Sequence, residues 1–67
     1  MKTYVVQTTI DLTTFDRASI RRHIEDTTRI ELCENLSLDD IYDERIRITW
    51  EFFPVRHKAI CTASVNL

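Results

Sequence analysis

The residues of this sequence best suited to bind a metal ion are two histidines and two cysteines: His23, Cys33, His57 and Cys61. A structural zinc site usually takes such residues in pairs two to four positions apart on a tight turn. His57 and Cys61 are the closest pair, but they lie on a segment that we predict to be largely extended, which separates them by roughly 13 Å. We therefore predict no metal and no other cofactor, with Cys61 as a small core residue and Cys33 near a loop.

His23 is the most plausible general base, because it falls on the predicted buried side of a helix. Base catalysis also needs a nucleophile or a second acid within reach, and a pocket to hold the substrate. Nothing in the sequence assembles either of these. We therefore expect His23 to be a partly buried residue paired with Asp26 or with a strand threonine, and we expect the protein not to be an enzyme.

A cluster of acidic side chains precedes the strongest strand pattern of the chain: Asp39, Asp40, Asp43 and Glu44. The cluster lacks the alternating ligand positions and the glycine of a calcium-binding loop. A solvated acidic patch is therefore expected. Such a patch also has a second interpretation, in which it imitates a nucleic-acid backbone and occupies a basic groove on a partner.

Two basic residues indicate a second candidate binding surface, separate from the acidic cluster. Arg45 and Arg47 are expected to share the open face of a sheet with Thr49 and Phe53, and a basic face with an aromatic can hold single-stranded nucleic acid. One aromatic makes a weak platform. The arginines of the helix lie among acidic residues, so a face of solvated ion pairs is expected there.

Composition excludes several classes of function. The chain has 67 residues, a net charge of −2 and no glycine. Phosphate-cradling loops need glycine, so the glycine-dependent nucleotide motifs are excluded. No apolar stretch approaches the ~20 residues that cross a bilayer, and the polar start of the sequence does not resemble a secretory signal. With only two cysteines, a cytoplasmic protein with reduced thiols is expected.

Alternation of apolar and polar residues predicts three strands. The clearest runs from Arg45 to Phe53 and turns four apolar residues to one side, namely Ile46, Ile48, Trp50 and Phe52. A first strand is predicted over Lys2 to Leu12. A third, from about Ala59 to Leu67, follows a hairpin that begins at Pro54.

Between the first two strands, the pattern predicts an amphipathic helix of about fifteen residues that begins near Thr13 or Asp16 and ends near Glu31. Its predicted buried stripe consists of Ile20, His23, Ile24, Thr27 and Ile30. This stripe is thin, which indicates that part of the sheet is covered by something else. A short helical turn is predicted from Ser37 to about Tyr42, with Ser37 as its cap.

These elements predict an α+β protein in which residues 1–67 form a single domain. Its three-stranded, mainly antiparallel sheet is covered on one face by one helix. A right-handed crossover leaves room for the third strand between the other two, which gives the order 1-3-2; a 1-2-3 meander is the alternative. In the first order the Trp50 strand lies at an edge, where it can pair with another chain. We therefore expect a homodimer.

The function favoured by the sequence is a small non-enzymatic protein-interaction module that binds and occludes a partner macromolecule. A viral or mobile-element inhibitor of host machinery is an example by analogy. The predicted contact residues combine the acidic turn with the open sheet face: Asp39, Asp40, Tyr42, Asp43, Glu44, Arg45, Arg47 and Phe53. The alternative is a homo-oligomeric nucleic-acid-binding regulator that uses the open face; nucleic acid is the less favoured partner, and no membrane contact is expected.

Overall fold

One helix packs on one face of a three-stranded antiparallel sheet in the computed structural model, which describes residues 2–14 and 18–67. The predicted α+β class is therefore confirmed. Short 3-10 turns occupy Leu12–Thr14 and Pro54–Arg56. The regular elements are β1 (Thr3–Asp11), α1 (Ala18–Leu36), β2 (Arg47–Phe53) and β3 (Lys58–Asn66).

The strand order is β1-β3-β2, and β3 is antiparallel to both of its neighbours. This order was predicted, and the meander alternative is wrong. The inward side chains of β3 explain the arrangement, since Ala59, Cys61 and Ala63 have no solvent exposure. Small side chains in the central strand let the helix approach the sheet closely.

Strand β2 begins at Arg47, two residues later than predicted. Ile46 is still part of a turn, because its backbone N–H donates to the carbonyl of Asp43 at 3.0 Å. The side chain of Ile46 is nevertheless buried, as its place in the alternating pattern predicted. The hairpin after β2 contains the predicted Pro54 and closes at His57, which has a positive φ of 53°.

The buried side of α1 shares Ile20 and Ile24 with the predicted stripe but differs from it further along the helix. Leu32 is 1% exposed and Cys33 is also buried, whereas Ile30 is 43% exposed and Thr27 lies on the outside. Helix residues four apart share a face, and the side that meets the sheet follows one such series: Ile20, Ile24, Thr28, Leu32 and Leu36. The helix also continues beyond Glu31 to Leu36.

A hydrogen-bonded threonine pair lies on the buried side of the helix. Thr28 has no solvent exposure, and its hydroxyl donates to the carbonyl of Ile24 at 2.7 Å. Its oxygen lies 2.7 Å from the hydroxyl oxygen of Thr8 in β1. Since the Thr28 proton is used within the helix, Thr8 donates across to Thr28. A polar residue is thereby satisfied at the helix–sheet contact.

The prediction that His23 lies in the buried stripe is wrong. His23 is exposed on α1, and its backbone carbonyl accepts a hydrogen bond from the Thr27 hydroxyl at 2.9 Å. The contact with a strand threonine that was predicted for His23 is made by Thr28 instead. The predicted helix start around Asp16 lies outside the described residues.

Ser37 ends α1 and does not begin a second helical turn, so that prediction is wrong. Its φ is 55°, its N–H donates to the Glu34 carbonyl, and the N–H of Leu38 donates to the Cys33 carbonyl at 2.9 Å. This pair of bonds is the Schellman arrangement, whose left-handed position is usually glycine. The chain has no glycine, so serine takes the unfavourable conformation.

We expect Ser37→Gly to raise the free energy of unfolding by about 0.5–1 kcal/mol, because glycine adopts a positive φ at little steric cost. Urea denaturation followed by circular dichroism measures the change. Ser37→Ala is the matched control and should give no gain, because alanine meets the same steric cost. Equal stability of the glycine and alanine variants would contradict this explanation of the helix end.

The segment from residue 37 to residue 46 forms a series of turns and contributes side chains to the core. Leu38 and Ile41 pack against buried residues of the core. The core therefore includes residues that lie outside both the helix and the strands. No helix in the described part of the chain combines the length and the low polarity needed to cross a membrane.

Candidate interaction surface

Tyr42 and Arg29 form the most prominent aromatic contact of the turn segment. Tyr42 is 56% exposed, and the guanidinium carbon of Arg29 lies 5.6 Å from the centre of its ring. Arg29 also donates through Nη1 to the carbonyl of Ile41 at 3.3 Å. One arginine of α1 therefore holds the turn segment against the helix and fixes the position of an exposed tyrosine.

Contacts on the helix side of β2 hold Trp50 in place. Its indole N–H donates to Oε2 of Glu25 at 2.7 Å, and the guanidinium carbon of Arg21 lies 5.9 Å from the ring centre. The ring is stacked on Phe52 with centroids 6.2 Å apart. Arg21 and Glu25 form an ion pair at 3.8 Å. These contacts tie β2 to α1, although the helix packs mainly on β1 and β3.

Phe52 was predicted to belong to the core, and the structure corrects this. Its side chain points to the helix side of the sheet but is 47% exposed. The reason is the position of α1, which lies over β1 and β3 and leaves the end of β2 partly uncovered. An exposed phenylalanine beside Trp50 adds apolar area to the helix side of the molecule.

An open groove runs along α1 beside the turn segment, and we call it the arginine groove. It has a volume of about 280 Å³ and is lined by Arg21, Arg22, Glu25, Asp26, Arg29 and Tyr42. Three guanidinium groups, two carboxylates and a phenol ring therefore meet in one place. Arginine and tyrosine are the residue types that contribute most to protein interfaces.

Sequence reasoning missed the arginine groove because it expected the arginines of the helix to form only solvated ion pairs with the acidic residues around them. Glu25 instead binds Trp50 and Arg21, while Arg29 reaches Tyr42 and Ile41. The sequence feature that could have predicted the contact of Glu25 is Trp50. A half-buried indole N–H usually finds an acceptor, and Glu25 is an acceptor on the same side of the helix as Thr28.

Most of the predicted contact residues in the turn segment lie together. Asp39 is exposed beside them, and a shallow depression of about 430 Å³ is lined by Asp40, Tyr42, Asp43, Glu44 and Arg45. Tyr42 belongs both to this depression and to the arginine groove. The two surfaces are therefore continuous through the tyrosine.

Two of these residues neutralise each other. Asp43 accepts from the backbone N–H and Nε of Arg45 at 2.9 and 3.0 Å, and from Nη2 at 2.8 Å. These bonds lower the pKa of Asp43 to about 2. Asp40 accepts from the N–H of Tyr42 at 2.9 Å and so helps to place the ring. The net acidic character of the segment comes from Asp39, Asp40 and Glu44.

Arg47 and Phe53 lie on the opposite, open face of the sheet, away from Tyr42. Arg47 is paired with Ser64, and Phe53 is paired with Lys58. The charged residues of this face are balanced, with Arg47 and Lys58 accompanied by Asp11 and Glu51. The structure therefore divides the predicted contact residues between two faces, and it places Arg45 outside β2.

Among the residues that the structure describes, no three histidine, cysteine, aspartate or glutamate side chains come together as metal ligands would. Cys33 and Cys61 are buried free thiols. Burial, with the charges of Asp40 and Asp43, raises the pKa of the Cys33 thiol, whose S–H points to the Asp40 carbonyl at 3.6 Å. Burial likewise raises the pKa of the Cys61 thiol.

Comparison with protein families, curated proteins and solved structures found no match. Function is therefore inferred from the surface chemistry of the chain alone.

Proposed function

We propose that this protein is a non-enzymatic interaction module that binds and occludes a protein partner through the arginine groove and the adjoining turn segment. The observation that carries the proposal is Tyr42, an exposed aromatic ring held in place by Arg29 and shared by both surfaces. An aromatic ring that is ordered before binding loses little conformational entropy when a partner covers it. The buried, unbridged thiols suit a cytoplasmic location.

The charges of this surface define the kind of partner it fits. The groove presents Arg22 and Arg29 beside Tyr42, while Glu44 lines the adjoining depression and Asp39 is exposed on the same segment. A complementary protein would offer carboxylates or backbone carbonyls to the arginines and basic residues to the acidic end. An inhibitor encoded by a virus or a mobile element is one class of protein that acts by occupying such a surface.

The open face of the sheet gives weaker support to nucleic-acid binding. Its two basic residues are matched by two acidic ones, and Phe53 is its one aromatic residue in the described strands. Proteins that hold single strands combine a basic groove with several stacking rings. The interaction proposal accounts for more of the exposed aromatic and arginine side chains.

We expect Tyr42→Ala to weaken binding to the partner by roughly 30-fold, which corresponds to a hot-spot contribution of about 2 kcal/mol. The measurement uses immobilised protein to capture partners from a lysate of the native cells, followed by titration of the captured protein. Tyr4→Ala is the matched control, because Tyr4 is the other tyrosine and lies on β1. It should bind as the unmodified protein does.

Circular dichroism must first show that both variants are folded. A partner that binds Tyr42→Ala as tightly as the unmodified chain would contradict the proposed surface. Loss of binding in Tyr4→Ala alone would move the contact to the β1 side of the sheet.

A further inference from the structure

The outer edge of β2 has no neighbouring strand in the described part of the chain, since β3 lies on its other side. Edge strands are commonly protected by proline, by a bulge or by a charged residue that points inward. Strand β2 contains no proline, and its two charged residues, Arg47 and Glu51, belong to the open face of the sheet. The strand is therefore suited to pair with another strand.

We propose that two copies of the chain pair antiparallel along β2, with Thr49 on the two-fold axis. The two sheets then become one six-stranded sheet with both helices on the same side. In this register, Arg47 lies directly opposite Glu51 of the partner subunit, and the symmetry repeats the pair. Opposite charges that face each other across two strands stabilise the pairing.

Charge complementarity selects this register over its neighbours. Directly paired residues of an antiparallel ladder lie on the same face of the sheet. The two-fold axis must therefore pass through a residue position of β2, and neighbouring registers differ by one such position. An axis at Trp50 would place Arg47 against Phe53 and Glu51 against Thr49, without any pair of opposite charges. The axis at Thr49 is the one that sets both charged residues of β2 against opposite charges.

The helix side of the sheet supports the same register. Ile48 would lie opposite Trp50 of the partner subunit, and an aromatic residue beside a β-branched one is a favourable cross-strand pair. Ile48 and Trp50 are both half-buried within a single chain. Pairing would therefore cover apolar area on one face while it joins charges on the other.

The other sheet edge does not offer this complementarity. Strand β1 carries a single charged residue, Asp11. Pairing of β1 with a second β1 about its centre would set Asp11 against Thr3. The charge pattern therefore favours β2 as the dimer edge.

Reversal of one charge tests the register. Arg47→Glu and Glu51→Arg each place two like-charged pairs across the interface, and each should raise the dissociation constant of the dimer by about tenfold or more. The double variant Arg47→Glu/Glu51→Arg restores opposite charges and should restore dimerisation. Within one chain these residues face Ser64 and Ile60, so the reversals disturb no charged partner across β3. Lys2→Glu, with the same change of charge as Arg47→Glu, is the control.

Light scattering coupled to size exclusion gives the mass directly. We expect twice the monomer mass of 8.0 kDa for the unmodified chain and for the double variant at high micromolar concentration. A monomer under these conditions would overturn the proposal. So would a dimer that both single reversals leave intact, because the charged pairs would then not be at the interface.

A disulfide across the axis tests the geometry independently of charge. Thr49→Cys brings two thiols within the Cα separation that a disulfide spans, so mild oxidation should yield a covalent dimer. Arg47→Cys is the control, since its two copies would be four residues apart along the strands, roughly 13 Å. Cys33 and Cys61 are buried and should not interfere. Cross-linking through Arg47→Cys but not through Thr49→Cys would overturn the register.

Discussion

Leu32→Ala is expected to lower the free energy of unfolding by about 2–5 kcal/mol, the usual cost of truncating a buried leucine. Leu32 is 1% exposed at the centre of the core cluster. A domain of this size has a net stability of only ~3–5 kcal/mol. The variant should therefore be largely unfolded at 37 °C, and thermal denaturation followed by circular dichroism measures this.

Ile30→Ala is the matched control, because it removes an aliphatic side chain of similar size from the same helix. Ile30 is 43% exposed, so its truncation should cost less than about 1 kcal/mol. The two residues lie on the two alternative buried sides of α1. Greater destabilisation by Ile30→Ala than by Leu32→Ala would contradict the helix orientation of the structure.

Trp50→Ala is also expected to have a large effect. It should lower the free energy of unfolding by about 3 kcal/mol, the low end of the range for a truncated aromatic residue. The variant loses the stack on Phe52, the contact with Arg21 and the hydrogen bond to Glu25. Trp50 is thus a structural link between β2 and α1. Its alanine variant cannot be used to map a binding surface.

Trp50→Phe keeps an aromatic ring but removes the indole N–H that donates to Glu25. We expect this change to lower the free energy of unfolding by about 1–1.5 kcal/mol. Combination with Glu25→Ala, which removes the acceptor, forms a double-mutant cycle, measured by urea denaturation. A coupling energy of about 1 kcal/mol is expected, and additive effects would show that the bond contributes nothing to stability.

The sheet could be predicted from sequence because its strands alternate strictly between apolar and polar residues. The crossover rule left room for β3 between the other two strands, and the structure confirms this order. Pro54 marked the hairpin correctly. These signals do not depend on how the helix is oriented.

The orientation of the helix could not be predicted in the same way. The sequence offers two candidate sides, one with Ile30 and one with Leu32, and apolar spacing does not separate them well. The orientation in the structure buries Leu32 and includes a contact distant in sequence, the hydrogen bond between Thr28 and Thr8. Ser37 misled the prediction because a serine suits a helix cap, whereas here it ends the preceding helix.

Only part of the candidate surface could be predicted from the sequence, because the rest depends on a contact between residues distant in sequence. The acidic turn and Tyr42 were recognised as contact candidates. In the arginine groove, Arg29 of α1 contacts Tyr42 of the turn segment. No local sequence pattern predicts a contact between two different elements.

Photo-crosslinking at the tyrosine positions tests the central claim most directly. The change Tyr42→p-benzoylphenylalanine places a photoreactive ring at the junction of the groove and the turn segment, and the same change at Tyr4 places it on the β1 side. Irradiation in the native cells should join the chain to one partner protein from position 42 and not from position 4. Cross-linking of that partner from position 4 alone would contradict the proposed surface.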